Sequence, residues 1–180
     1  AWIVDWRKKH HAGKRIPRYS RFFDGLPPLR RIRDGAARWP ALDVIYNWKP
    51  YRGGISGIFE SIWLNIRNCQ AVRNRYHIVV ETIREEVIRR GGRCNILSIA
   101  SGSAQPVFEA VAGFPNVRVV CIDSDATAIE HSRALAQQYG LTNIEWRQGN
   151  VLSPGTLANG FIPDIVEVVG LNEESRARVA

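Results

Sequence analysis

Methionine is absent from the 180 residues, and cysteine is scarce: Cys69, Cys94 and Cys121 stand far apart with no CxxC pair. Three scattered cysteines build neither a disulfide framework nor a zinc site, and they suit a reducing compartment. No apolar run approaches the roughly 18–20 residues that cross a bilayer, which excludes a helical membrane span. The start AWIVDWRKKHH is broken by charge within its first residues and does not read as a signal peptide. With no initiator methionine, the expectation is a processed chain or a fragment, working in the cytoplasm. No GxxxxGK(S/T) occurs either, so a P-loop is excluded.

What is present is globular. Hydrophobic residues make up 45% and charged residues 23%, enough for one ordinary domain or a small domain with an extension. The formal charge of +8 is unevenly placed: residues 1–52 hold 13 Lys and Arg against 4 acids, and the remainder is close to neutral. That first third shows weak periodicity and frequent Pro and Gly. Its arginines lie near aromatics (Trp2, Trp6, Tyr19, Phe22, Phe23, Trp39, Trp48, Tyr51). It reads as a basic, irregular N-terminal arm with short helical or strand pieces. Either the aromatics pack on the main domain, or the arm meets an acidic partner such as nucleic acid or lipid head groups.

Residues 53–92 read as a helical segment. Ile55, Ile58, Phe59, Ile62, Ile66 and Cys69 recur at helical steps and predict one inward stripe. A second helix is predicted from about Tyr76 to Arg90, with Val79, Val80, Ile83, Val87 and Ile88 inward and Glu81/Arg84 and Glu85/Arg89 outward. Residues 71–76 between them are expected to form a polar junction, and Gly91-Gly92 to end the second helix.

From residue 93 the texture is α/β. Strands are predicted at Asn95–Ile99, Val117–Ile122, Ile144–Arg147 and within Ile162–Val169, with helices from about Gln105 and Ala126. Alternation with short loops predicts a Rossmann-like parallel sheet. Such a sheet normally continues beyond four strands, which strengthens the fragment reading and predicts an open edge.

In such sheets ligands bind outside the carboxyl ends of the strands. Those ends offer the small-residue turn Ala100–Ala104, then Asp123, then Gly149-Asn150-Val151, then Glu167 and Gly170. An acid some 20 residues past a small-residue turn suits the hydroxyls of an adenine nucleoside. The alternative for Asp123 is a helix cap, which Ser124 or Asp125 can also supply. Gly102 is the only glycine in the turn, a poor cradle for a pyrophosphate, which argues against a nicotinamide dinucleotide.

The segments NILSIASGSA, VVCIDSDATAIEHSRALA, IEWRQGNVL and PDIVEVVGL, in that order over about Cys94–Leu171, resemble the motifs of class I S-adenosylmethionine-dependent methyltransferases. The resemblance implies S-adenosylmethionine as cofactor and transfer of its methyl group to an acceptor. It assigns Ala100, Gly102 and Ser103 to the loop under the methionine part, Asp123 to the ribose, and Ser124, Asn150 and Val151 to the adenine. It puts Glu167 near the methyl-transfer mouth, with Val169 and Gly170 continuing that wall, and suggests Arg73, Asn74 and Arg75 for the methionine carboxylate. Ser98 stands where the family's first motif has an acid, and Ala100 and Ala104 stand where it has glycines. The residues name no catalytic group and leave the acceptor open among small molecule, lipid and RNA. A competing reading keeps the basic arm as a nucleic-acid or membrane-surface binding module beside a degenerate nucleotide pocket.

Overall fold

The computed structural model describes residues 27–34, 39–49, 54–150 and 160–168. Most of the basic arm, together with Val151, Val169 and Gly170, lies outside the described residues.

The core is a four-stranded sheet of β1 (Asn95–Ile99), β2 (Arg118–Asp123), β3 (Ile144–Gln148) and β4 (Ile165–Glu167). Its order is β3-β2-β1-β4 and every pairing is parallel. This is the expected Rossmann-like α/β arrangement. The short apolar runs of β1 and β2 are strands with both faces covered, whereas Val166 leaves one face of β4 exposed. Ile96, Val119 and Cys121 face a helical layer, while Leu97, Val120 and Ile122 face the other side with Ile99 and Phe161. β1 pairs with β2 on one side and with β4 on the other, so the chain reverses its direction across the sheet at β1. That reversal opens a crevice at the carboxyl ends.

The helical layer consists of α4 (Arg67–Arg89), α5 (Gln105–Val111) and α6 (Ala126–Gln138). Tyr76, Val80, Ile83 and Val87 of α4 join Val107, Phe108 and Val111 of α5 in one cluster over the sheet. The expected junction at 71–76 is a correction: α4 is unbroken for 23 residues. Nothing in that stretch breaks a helix, and Cys69, Val72 and Tyr76 keep a packed stripe running through it. Ile88, expected inward, is exposed. The ion pairs also differ: Glu86 holds both Arg89 and Arg90, and Arg84 donates to the Glu109 carbonyl at 2.7 Å.

Among the described residues three shorter helices precede α4, namely α1 (Pro27–Asp34), α2 (Trp39–Tyr46) and α3 (Ile55–Leu64). Leu29, Ile45, Leu64 and Cys69 form their common apolar centre. The stripe expected to face inward does so at buried Cys69 but not at three of its isoleucines. The helix stops at Leu64, and Ile58, Ile62 and Ile66 are exposed. Leu64, which lies off that stripe, makes the packing contact instead, and Arg73 donates to its carbonyl at 2.8 Å. Among the described residues no helix is long and apolar enough to cross a membrane.

All three thiols are buried and free, and burial pushes each above the ordinary thiol range, Cys121 furthest. Only the thiolate attacks a disulfide reagent. The folded chain is therefore expected to react with a thiol-specific disulfide far more slowly than the urea-unfolded chain, which should release three equivalents. A fast equivalent in the folded state would contradict the packing of at least one cysteine.

Candidate functional site

The turn after β1 is held by its own backbone and by β2. Ser101 N–H donates to the Ile122 carbonyl at 3.0 Å, and Ala104 N–H to the Ser101 carbonyl at 2.8 Å. Gly102 N–H donates to Asp123 Oδ2 at 2.7 Å, and Asp125 N–H to Asp123 Oδ1 at 2.9 Å. The cap of α6 is Asp125, whose carboxylate accepts from Thr127 N–H at 2.9 Å. Asp123 is therefore the clamp between the β1 turn and the β2 end. Each of its oxygens keeps a lone pair for a further donor.

Ala100, Gly102 and Ala104 all have positive φ, at 51°, 55° and 54°. Glycine takes this conformation freely, whereas an alanine pays about 1–2 kcal/mol for it. Two strained residues in five persist because the surrounding bonds define the turn. Ser103 and Ala104 are buried beneath it, and Ala100 is half-buried.

Helix α2 lies across the turn. A Cβ added at Gly102 would stand 3.3 Å from Trp39 Cβ. The Trp39 ring stacks on His131 of α6 with centroids 4.5 Å apart, and its Nε1–H donates to Thr127 Oγ1 at 3.3 Å. His131 Nε2 also lies 3.4 Å from Asp43 Oδ1. Asn47, just past α2, exchanges two amide hydrogen bonds of 3.1 and 2.9 Å with the buried Gln105 at the start of α5. Sequence reasoning did not find Trp39, Asn47, Gln105 or His131 as one assembly. They come from three distant segments, and no spacing links them.

On the β4 side, Ser98 and Glu167 occupy paired positions in the sheet. The buried Ser98 hydroxyl donates to Glu167 Oε2 at 2.5 Å. Tyr46, at the end of α2, is packed against Tyr76 with ring centroids 4.7 Å apart. Burial raises the Tyr46 phenol above its ordinary range; the neighbouring Arg75 guanidinium opposes this, and the Glu167 charge adds to it. Arg75 thus belongs to the Tyr46–Glu167 end, while Arg73 is held at the Leu64 carbonyl and stacks over Trp48. Ser124 is exposed beside Asp123. Asn150 is exposed just after Gly149, whose N–H donates to the Asp123 carbonyl at 3.0 Å.

A separate groove at the amino ends of the strands is lined by Val111, Phe114, Tyr139, Leu141 and Ile144 among others, with no charged side chain.

No protein-family model matches the chain, and no curated protein does. Solved structures resemble it at low identity. An O-methyltransferase family protein from Burkholderia thailandensis is 18% identical, with a TM-score of 0.47 over 78% of this chain and 42% of its own. A methyltransferase from Podospora anserina, solved with SAH, is 15% identical, with a TM-score of 0.46 over 92% and 64%. A precorrin-6y C5,15-methyltransferase from Geobacter metallireducens is 17% identical, with a TM-score of 0.43 over 53% and 47%. The chain thus spans 42–64% of the length of these three proteins. Likeness at this level assigns neither activity nor acceptor to this chain.

The turn geometry makes two substitutions act in opposite directions. Ala100→Gly should raise unfolding stability by about 0.5–1 kcal/mol, because relief of the left-handed strain exceeds the added chain entropy. Gly102→Ala should lower it by about 1–2 kcal/mol, since it adds the same strain and a tight contact with Trp39. Urea denaturation of both variants checks the pair, and equal effects or the reverse order would contradict the turn.

Proposed function

We propose that the crevice at the carboxyl ends of β1, β2 and β4 binds S-adenosylmethionine and that the chain takes part in methyl transfer. The observation that carries this reading is the Asp123 carboxylate, fixed at 2.7 Å from Gly102 N–H with acceptor capacity to spare.

The residues present fit this cofactor better than a dinucleotide. A pyrophosphate needs several glycines for close backbone approach, and here alanines take two of the three left-handed positions. A cofactor without phosphates makes no such demand. Asp123 would accept from the ribose hydroxyls, each such bond to a charged carboxylate being worth roughly 1.5–3 kcal/mol. Gly102, and Ala100 before it, would let the methionine part approach the turn. Ser124 and Asn150 would border the adenine, with Val151 following Asn150.

The methionine end needs a carboxylate near its ammonium, and Ser98 has none. Glu167 takes that role from the neighbouring strand, since its register with Ser98 brings the two side chains into a hydrogen bond. The Ser98 hydroxyl then acts as a positioning donor that holds the Glu167 carboxylate. Arg75, whose charge acts on Tyr46, would be the cation that meets the methionine carboxylate.

When bound, the cofactor supplies a sulfonium methyl already activated for in-line displacement. The protein's work is alignment and exclusion of water. Trp39 of α2 covers the turn, and Asn47 fixes that helix to α5. A base is required only if the acceptor loses a proton.

Calorimetric titration of S-adenosylhomocysteine into the folded chain should give a stoichiometry near one. Asp123→Asn, which keeps the shape and removes the charge, should weaken binding about tenfold to hundredfold, and Glu167→Gln should weaken it as well. A folded wild-type chain that binds none would overturn the reading. Binding indifferent to Glu167→Gln would remove Glu167 alone.

A further inference from the structure

The face that was expected to be buried and is not has no part in the crevice. On α3, Ile58 is 55% and Ile62 is 61% exposed, one helical turn apart, and Trp63 is 39% exposed; Ile66, just past the helix, is 38% exposed. These four apolar residues lie within nine positions. The helix is tied to the body at its carboxyl end, through buried Leu64 and the Arg73 bond to its carbonyl. Exposed large apolar side chains gathered this closely along one segment point to an interaction surface.

The surroundings are cationic. Leu64 packs with Leu29 of α1, a helix that carries exposed Arg30 and Arg31 beside Leu29. Exposed Arg67 follows Ile66 directly. The only acid on α3 is Glu60. Isoleucines gain nothing against nucleic-acid phosphates, so charge alone cannot account for them. Apolar side chains on a helix too short to span, with arginines around them, match the chemistry of an interfacial anchor. Tryptophan is at home at the same depth.

We propose that α3 docks on an anionic lipid bilayer, with Ile58, Ile62 and Trp63 entering the headgroup boundary and Arg30, Arg31 and Arg67 meeting lipid phosphates. Residues close to a charged bilayer gain from the leaflet's negative potential, an attraction that fades within a Debye length. Added salt therefore weakens the docking, and the apolar part persists. This surface is separate from the crevice, so it stands or falls apart from the cofactor reading.

The test is sedimentation of the full chain with phosphatidylcholine vesicles, with and without phosphatidylserine, at low and high salt. The chain should bind the phosphatidylserine vesicles preferentially, with a blue shift of tryptophan emission. Ile58→Ser/Ile62→Ser, at exposed positions that leave circular dichroism unchanged, should lower partitioning about tenfold or more. Asp123→Asn should leave it intact. The proposal is overturned if the chain ignores phosphatidylserine vesicles, or if the double variant binds them as well as wild type. It is equally overturned if single-stranded RNA binds the double variant and wild type alike while neither binds vesicles. A vesicle-independent dimer that the double variant dissolves would assign the face to a second copy of the chain instead.

Discussion

One hydrogen bond organises the carboxyl end of this sheet: Gly102 N–H donating to Asp123 Oδ2 at 2.7 Å. It joins the turn after the first strand to the last residue of the second. A bond from a charged carboxylate is stronger than one between neutral groups, and this one lies where the backbone is under strain. With Ala100 and Ala104 both left-handed, the turn would relax toward easier conformations if it were left alone. The clamp and the Ser101 bond to Ile122 hold it in place. The same carboxylate retains acceptor capacity toward the crevice, so the group that shapes the turn is also the one best placed to meet a ligand.

The N-terminal helices extend this arrangement. α2 is fastened at both of its ends, to α6 by Trp39 and to α5 by Asn47. Its packing against Gly102 leaves little room for a larger residue there. Near the end of α2, Tyr46, Arg75, Glu167 and Ser98 come together from four different elements. The three preceding helices share a small apolar centre of their own around Leu64, separate from the main cluster under the sheet. Its separateness explains how α3 can be well anchored at one end and present isoleucines outward along its length.

The strands, the turn and the order of the elements are legible in the residues. Each buried strand is a short β-branched run between punctuating small residues, and that information is local. Asp123 was legible for the same reason, since its distance from Gly102 follows from one strand–helix–strand unit. Its dual bond to two backbone amides was not, because that depends on the path of the turn in space. The helical segment was misread where periodicity alone had to choose a direction. Of the stripe Ile55, Ile58, Phe59, Ile62, Ile66 and Cys69, Cys69 packs inward while Ile58, Ile62 and Ile66 are exposed; Leu64 takes the neighbouring core contact, and a pattern cannot say which face has a partner. The side chains of Ile55 and Phe59 lie outside the described residues. Nothing local in the sequence marks His131 out, and in the fold Trp39, 92 positions earlier, stacks on its half-buried ring. Glu167 was visible as a strand-end acid, but its pairing with Ser98 depends on the register between β1 and β4.

The central claim is that ligand recognition resides at the Asp123–Gly102 clamp. Amide NMR on the nitrogen-15-labelled chain tests this most directly, because it reads position as well as binding. The Gly102 amide should be protected from exchange in the free protein. On addition of S-adenosylhomocysteine, the largest shifts should fall on residues 100–104, 123–125 and 149–150. Shifts centred on the opposite groove around Phe114, Tyr139 and Leu141, or an unprotected Gly102 amide that no adenosine ligand moves, would contradict the account.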